Sequence, residues 1–408
     1  PSTMKQEAAE LFEVSCSSFD ELEERLRRSL KTTARFGPRK NLLRIGEHGG
    51  FMSMCCMLRP DWRDCSKEER ARLPGKILFK FSYSDRLEAV ALEFIGCRLN
   101  EEVRNEALRK TNNCEGLFYS LLSSSTADSL PVPGPLCFKP IKEDGDVGFV
   151  MMDYVKGSSF ECHEPNSLAE VEQIIFSIAR LQAFSVKERL DQVAEFNWNP
   201  WRTIGTCVLT KKVSRKVVSE IPGFYGAEFE PLTNKLLANL DEFYDPETPM
   251  RELKEIKSVL VHGDIWQSNI IWSYGRDRPR QLKAIIDWQS VHVGSPAADI
   301  VFLLVSVLDG EERRTHWRSL LGLLYQSIER EMAPANPSFS FDDLLASYNR
   351  LFPILGLIAL MRFSVLFKCS LAPASPEDRI KFTKRMAKKL FCLTEDVVAA
   401  FERSRKSG

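Results

Sequence analysis

Polar residues with side chains suited to proton transfer and metal binding are concentrated between two short apolar runs in the second half of the chain. The runs Val259–Val261 and Ile270–Trp272 are predicted strands, and the loop between them contains His262, Asp264 and Asn269. Each residue alone would be typical of a turn, where Asp and Asn often lie. An imidazole, a carboxylate and an amide in one short loop instead predict a functional site.

A second carboxylate follows the next apolar run. Residues 284–286 form a predicted strand that ends on Asp287, and Ser273–Gln281 contains the glycine and proline of a hairpin loop. This loop would join the strand to the one before it. We therefore expect one hairpin to bring Asp264, Asn269 and Asp287 together.

These residue types match what phosphoryl transfer requires. A carboxylate must accept or orient the proton of the attacking hydroxyl, while an amide oxygen and a second carboxylate hold the divalent ion at the phosphates. We assign the first role to Asp264 and the other two to Asn269 and Asp287. The order and spacing of these residues, with His262 ahead of them, are those of kinase catalytic and metal-binding loops.

The segments VHGDIWQSNIIW and IIDWQSVHVGSPAADI together resemble the core of the CHK-kinase-like, or ecdysteroid-kinase-like, family, which is related to choline kinases and aminoglycoside phosphotransferases. The Asp-Trp-Gln that begins at Asp287, in place of the Asp-Phe-Gly of protein kinases, also points to small-molecule kinases. The resemblance implies an α+β, protein-kinase-like bilobal fold, ATP and Mg²⁺ as cofactors, and a small-molecule hydroxyl as acceptor. It also implies that His262 braces the catalytic loop and that Asp299 holds its backbone.

A lysine in an apolar strand is the first element that must support this site. In LPGKILFKFSY, Lys80 is surrounded by apolar residues, so its amine needs a partner because an unpaired buried charge is costly. The family resemblance implies that Lys80 contacts the α- and β-phosphates and pairs with a helix glutamate. The alternative is an edge-strand lysine that reaches solvent. Lys76, at the start of the strand, is expected to be solvated.

The glutamate partner is predicted on the following helix. Apolar residues recur at helical spacing from Cys114 to Leu122, and Glu115 lies beside this stripe. The family resemblance favours Glu115, with Tyr119 as the accompanying aromatic. Two alternatives remain: Glu106 as the partner, or Glu115 as part of a capping box with Asn112.

Two further stretches are candidates for nucleotide contacts. Gly46, Gly49 and Gly50 form the turn of a predicted hairpin, where backbone N–H groups can approach phosphates closely. Asp153 and Tyr154 end a later predicted strand, at the position of a kinase's interlobe hinge. An ordinary hairpin turn and a simple strand end are the alternatives.

The periodicity of apolar residues divides the chain in two. Residues 1–154 are predicted to form a β-rich, nucleotide-binding lobe, and residues 155–408 a helical lobe with the catalytic and metal-binding loops. The first helix of the second lobe is predicted at Leu168–Phe184, capped by Ser167. Further helical patterns lie at 229–243, 251–257, 297–308, 311–330, 341–367, 376–390 and 394–405.

Composition narrows the choice of partners and location. The chain of 408 residues has 56 basic and 56 acidic residues, a balance that gives no reason to expect nucleic acid or an anionic membrane as the main partner. Its 11 cysteines show no zinc or disulfide spacing, and the N-terminus lacks an apolar signal region, so we expect reduced thiols in the cytoplasm. The longest apolar stretch, Leu351–Met361, is interrupted by Pro353 and Gly356, and we expect a buried helix rather than a membrane span.

Two rival functions follow from the same motifs. A catalytically inactive pseudokinase would keep the fold as an interaction module, but the key polar residues are all present. A protein kinase is disfavoured because no Ala-Pro-Glu segment follows Asp287.

The acceptor stays open between steroids, choline-like amines and xenobiotic alcohols. Trp266, Trp288 and the segment FNWNPW (Phe196–Trp201) are candidates to line its site, with core packing as the alternative.

Overall fold

The structure is a computed structural model that describes residues 12, 18–45, 52–95, 99–123, 130–204, 210–243, 245, 247–275, 279–371 and 374–407. The chain divides into two compact units, residues 1–156 and 157–408. The first contains a mainly antiparallel sheet, and the second is largely helical. The predicted α+β class is confirmed.

A five-stranded antiparallel sheet forms the centre of the first unit, in the order β2-β3-β5-β7-β6. Its strands are β2 (Asn41–Arg44), β3 (Ser53–Arg59), β5 (Ile77–Ser82), β6 (Pro135–Lys139) and β7 (Phe149–Asp153), and a separate short pair joins β1 (Arg35–Phe36) to β4 (Trp62–Arg63). Strand β5 is central, because Lys80 lies opposite Cys55 of β3 on one side and Val150 of β7 on the other. Lys80 therefore does not lie on an edge strand.

Helices of the first unit complete its core. They are α1 (Phe19–Leu30), α2 (Lys67–Arg72), α3 (Asp85–Ile95) and α4 (Glu101–Ser123). Helix α1 begins after Ser18, whose side chain accepts the backbone N–H of Glu21, and it buries Leu22 and Leu26. Helix α4 packs on β6 and β7 at Gly116, where a Cβ would lie 2.2 Å from the ring of Phe138. A glycine is thus required for this close approach.

The second unit is built mainly from helices. They are α5 (Leu168–Lys187), α6 (Pro200–Thr203), α7 (Lys211–Tyr225), α8 (Glu230–Phe243), α9 (Thr248–Arg251), α10 (Ala298–Val307), α11 (Gly310–Met332), α12 (Phe341–Ser370) and α13 (Pro376–Ser407). Helix α5 begins after Ser167 as predicted, but the Ser167 hydroxyl makes no capping bond; instead Glu170 accepts the backbone N–H of Ser167 at 2.9 Å. The sequence interpretation missed α7, and it divided α13 into two helices where the structure has one.

Two short antiparallel strand pairs carry the loops of the candidate site. Strand β9 (Ile270–Trp272) pairs with β10 (Leu282–Ile285), which is the predicted hairpin. Strand β8 (Val259–Val261) pairs with β11 (His292–Gly294), a strand that the sequence interpretation did not predict. Two strand pairs, rather than one hairpin, therefore support the polar loops.

Helix α12 is long and apolar enough to cross a membrane by length and composition, and most of this apolar segment is buried inside the protein. It continues through Pro353 without ending. Leu351, Leu355 and Leu357 are fully buried. Residues Leu351–Met361 thus form part of a core helix, as expected, although the helix extends well beyond them on both sides.

Candidate active site

The loop after β8 is held by a buried carboxylate from the start of α10. The two oxygens of Asp299 accept the backbone N–H groups of His262 at 2.8 Å and Gly263 at 2.9 Å. Gly263 has φ of +75°, and a Cβ there would lie 2.5 Å from the carbonyl oxygen of Ser290. This turn consequently requires glycine and fixes the direction in which the next residue, Asp264, leaves the strand.

His262 links this loop to the segment that precedes Asp287. Its Nδ1 accepts the backbone N–H of Asp264 at 3.1 Å, so the ring proton lies on Nε2, which donates to the carbonyl oxygen of Ile286 at 3.0 Å. The ring packs against Trp288, with centroids 4.4 Å apart. Both ring nitrogens are used within the protein, and this geometry suits a positioning residue.

Asp264, Asn269 and Asp287 occupy adjoining positions in the second unit. Nδ2 of Asn269 donates to the carbonyl oxygen of Asp264 at 2.9 Å and to its Oδ2 at 3.3 Å. The backbone N–H of Ile286 donates to the carbonyl oxygen of Asn269 at 2.9 Å, which ties the segment before Asp287 to Asn269. Asp287 has φ of +67°, a strained conformation for a residue other than glycine that is common at functional sites.

Arg362 of α12 forms a two-point ion pair with Asp264. Its Nη2 lies 3.1 Å from Oδ2 of Asp264, and its Nη1 contacts Oδ1. The Asp264 side chain is 6% exposed and that of Arg362 is 25% exposed. The ion pair therefore orients the carboxylate, and the arginine side chain remains partly exposed.

Burial is the largest influence on the pKa values of Asp264 and Asp299. Desolvation raises the pKa of Asp264, the Asp287 carboxylate adds to the rise, and the Arg362 guanidinium opposes it. Desolvation likewise raises the pKa of Asp299, against the effect of His262 and of the two backbone N–H donors. The bonds to these carboxylates favour their ionised forms and compensate in part for taking them out of water.

Lys80 of the first unit pairs with Glu115. Nζ of Lys80 lies 2.6 Å from Oε2 of Glu115, and the two side chains are 8% and 2% exposed. Strand β5 supplies the lysine and helix α4 the glutamate, as the sequence interpretation expected. Glu106, the competing partner, is exposed to solvent.

The alternative role of Glu115 in a capping box is wrong. Asn112 lies in the middle of α4, which begins at Glu101, so no helix starts there. Its Nδ2 donates to the carbonyl oxygen of Lys139 at 3.0 Å, and its Oδ1 accepts from Ser82 at 2.8 Å. Asn112 instead bonds the helix to the sheet.

Of the remaining candidates for nucleotide contacts, the structure describes Asp153 and Tyr154 but not the three glycines. Gly46, Gly49 and Gly50 lie outside the described residues. Asp153 ends β7 and donates its backbone N–H to the carbonyl oxygen of Gly134 at 2.8 Å, and Tyr154 follows it. Nζ of the exposed Lys76 lies 5.3 Å from the centroid of the Tyr154 ring.

Two tryptophans that were candidates for the acceptor site differ in their surroundings. Trp288 is 2% exposed and donates its indole N–H to the carbonyl oxygen of Ile285, so it belongs to the core. Trp266 is half-buried and packs against Arg362. Arg362 itself was missed: it was seen only as the end of an apolar run, although a charge within such a run demands a partner.

A comparison with family models matches residues 5–405 to the family described as "DUF1679: Uncharacterized oxidoreductase dhs-27". The chain belongs to this family. A relative from the family, "Uncharacterized oxidoreductase dhs-27" of Caenorhabditis elegans, is 24% identical over 286 residues, which are 66% of this chain and 34% of that protein. The chain thus spans about a third of the length of this relative.

A second relative of this chain has a kinase-like name. The "Uncharacterized kinase-like protein D1044.1" of C. elegans is 23% identical over 274 residues, 66% of this chain and 70% of that protein. Among solved structures, choline kinase from Cryptosporidium parvum Iowa II is 9% identical with a TM-score of 0.48, over 94% of this chain and 97% of that one. The family match and the name of the second relative agree with the kinase-like family predicted from the motifs, and the α+β class is confirmed by the sheet and helices of the structure.

Proposed function

We propose that this protein is a small-molecule kinase that transfers the γ-phosphoryl group of ATP to a hydroxyl group in the presence of Mg²⁺. The observation that supports this most strongly is the bonded set of Asp264, Asn269 and the segment before Asp287. It supplies one carboxylate for the hydroxyl proton and oxygen donors for a metal ion, which are the groups that phosphoryl transfer requires.

Asp264 is proposed to act on the acceptor hydroxyl. The hydroxyl oxygen forms a bond to the γ-phosphorus, the bond from that phosphorus to the bridging oxygen breaks, and ADP leaves. The hydroxyl proton passes to a carboxylate oxygen of Asp264. Asn269 and Arg362 hold this carboxylate in one orientation, so the protein does not have to order it during the reaction.

The donor set fits Mg²⁺. Nδ2 of Asn269 is committed to Asp264, which leaves the amide oxygen on the opposite side of the group, and Asp287 follows the segment bonded to Asn269. Mg²⁺ prefers such oxygen ligands and takes only one or two carboxylates from a protein beside the phosphates. Held by Asn269 and Asp287, the ion would neutralise charge on the phosphates. No cluster of three or more His, Cys, Asp or Glu suited to a metal occurs in the described part of the chain.

The first unit is proposed to bind the nucleotide. Lys80, oriented by Glu115, contacts the α- and β-phosphates, and the positive charge is available because its carboxylate partner stabilises the protonated amine. Gly46, Gly49 and Gly50 are proposed to cover the phosphates, and Asp153 and Tyr154 to contact the adenine. A lobe boundary after Tyr154 is part of the same proposal.

The proposed location is the cytoplasm. Cys56 and Cys65 are free thiols, which is typical of proteins in reducing compartments. Burial raises the pKa of Cys56 to about 12, so this thiol is unreactive and serves packing.

Asp287→Ala tests the metal role. The variant should lose affinity for Mg·ATP far more than for metal-free ATP, because the carboxylate acts on the nucleotide through the ion. Calorimetric titrations with and without Mg²⁺ would measure both affinities. Equal losses would reject Asp287 as a ligand, and no turnover of ATP by the wild-type protein with any alcohol in a metabolite extract would favour the pseudokinase.

A further inference from the structure

The first half of helix α13 presents a row of basic side chains to solvent. Four exposed residues recur at intervals of three and four positions, namely Lys381, Lys384, Arg385 and Lys388. This spacing places them on one face of the helix. None of the four forms an ion pair or a side-chain hydrogen bond within the described part of the chain. We call this row the basic face of α13.

The second half of the same helix differs because its charges are paired with helix α8. Nζ of Lys235 lies 2.8 Å from a carboxylate oxygen of Glu402. Nε of Arg405 lies 3.5 Å from a carboxylate oxygen of Glu242. Among the described side chains, the exposed unpaired cations of α13 therefore lie together in its first half.

A groove adjoins the basic face. Its volume is about 800 Å³, and its apolar lining includes Tyr225, Ile380 and Phe391. Ile380 is 60% exposed and lies one helical turn before Lys384, which lines the groove together with Lys388. The groove thus combines exposed apolar surface with two unpaired ammonium groups.

The carboxylates near the basic face do not neutralise it. At the groove, Glu311 and Glu395 lie 3.6 Å and 2.8 Å from the guanidinium of Arg314, and the exposed Glu228 pairs with neither lysine of the groove. The two acids of α13 lie in its first turn, where they are favourable to the helix dipole. Residues 376–388 contain five basic and two acidic residues, so this part of the surface has an excess of positive charge.

Positive charge beside exposed apolar surface is complementary to an anionic membrane. Each basic residue close to such a membrane strengthens binding about fivefold, and an aliphatic side chain that enters the lipid adds to this. Nucleic acid would also attract the cations, but it offers no apolar phase for Ile380. The even balance of charge over the whole chain does not remove the field of a local patch.

We propose that the basic face of α13 and the adjoining groove dock this protein onto membranes that contain anionic lipids, with Ile380 inserted among the lipids. The protein would lie on the membrane surface, in agreement with the burial of the apolar helix α12 inside the protein. This inference goes beyond the proposed kinase function and does not depend on it.

Flotation of the full chain with lipid vesicles tests the proposal. The protein should bind vesicles of phosphatidylcholine and phosphatidylserine at least about tenfold more tightly than vesicles of phosphatidylcholine alone. Added salt should weaken the binding, because it screens exposed charges. Equal binding to both kinds of vesicle, or binding to neither, overturns the proposal.

Charge reversal locates the surface on the molecule. Lys384→Glu/Lys388→Glu should lose about tenfold or more in affinity for the anionic vesicles, and the neutral variant Lys384→Gln/Lys388→Gln should lose several-fold. The matched control is Lys212→Glu/Lys216→Glu on α7, since these lysines are also exposed, unpaired in the described part of the chain and four residues apart. The control should bind as the wild type does. Equal losses in the control and in the α13 variants would show that binding follows net charge and would reject this surface.

Ile380→Ser tests the apolar part of the contact. The variant keeps every charge and should bind the anionic vesicles several-fold more weakly, because the side chain no longer enters the lipid. Thermal unfolding should be unchanged, since Ile380 is exposed. Unchanged affinity, or a DNA duplex that competes with the vesicles at equal affinity, would assign the basic face to polyanions in general and overturn the membrane proposal.

Discussion

Each unit of the protein contains a buried ion pair among its own candidate functional residues, and the two pairs differ in enclosure and in sequence separation. Lys80 and Glu115 are 35 residues apart, and their side chains are 8% and 2% exposed. Asp264 and Arg362 are 98 residues apart, and the arginine is 25% exposed. In the first pair both charges are out of water, while in the second only the carboxylate is.

This difference predicts different consequences when a pair is broken. Removing one partner of a fully enclosed pair leaves an uncompensated buried charge, which costs about 3–5 kcal/mol of stability. A partly exposed arginine can be hydrated instead, so the loss of its partner is less costly. Mutations in the first pair should therefore affect folding and activity together, and mutation of Asp264 should affect mainly activity.

Asp264→Asn should have the largest effect on activity. The change keeps the shape of the side chain and removes the group that accepts the hydroxyl proton, and general-base catalysis contributes ~10²–10⁴-fold. Thermal unfolding should change little, because the asparagine oxygen can still accept from Arg362. Asp241→Asn, in an exposed pair with Arg215, is the control and should be silent in both measurements. Turnover near the wild-type level in Asp264→Asn would remove Asp264 from the mechanism.

Lys80→Met should abolish activity and also lower the free energy of unfolding by about 3–5 kcal/mol, because Glu115 loses the lysine beside it in the interior. The double variant Lys80→Met/Glu115→Gln should regain much of this stability, since no buried charge remains, and stay inactive. Denaturant titration and an ATP turnover assay measure the two quantities. Additive losses of stability in the double variant would show that the pair is not energetically coupled.

The first ion pair could be predicted from the sequence because the strand pattern shows that Lys80 needs a partner and the family resemblance favours Glu115. Lys80 is a charge among apolar strand residues, and Glu115 lies beside an apolar stripe of helical spacing. The strand pattern indicates that a partner is needed, whereas the choice of Glu115 over Glu106 rested on the family resemblance. The hairpin of β9 and β10 was predictable for a similar reason, since two apolar runs flank a loop with Gly275 and Pro279.

The second pair was not found, although the same argument applied. Arg362 lies between Met361 and Phe363 in an apolar helix, so its charge also demanded a partner. The partner could not be identified from sequence, because it lies on a loop that tertiary packing alone brings to α12. Strand β11 was missed because three residues that end in a glycine give too short a pattern, although its pairing with β8 supports the loop of His262.

The smallest effect is expected at the other lysine of the same strand segment, Lys76. It is exposed just before β5, and its Nζ lies over the Tyr154 ring at 5.3 Å, an exposed cation–π contact worth about 0.5–1 kcal/mol at most. Lys76→Met keeps the apolar stem and should change the free energy of unfolding by about 0.5 kcal/mol or less, with activity retained. Chemical denaturation and an ATP turnover assay run beside Lys80→Met would measure both. If Lys76→Met lost activity while Lys80→Met kept it, the lysine that binds phosphate would be the exposed one, and the enclosed pair of Lys80 and Glu115 would serve only the fold of the first unit.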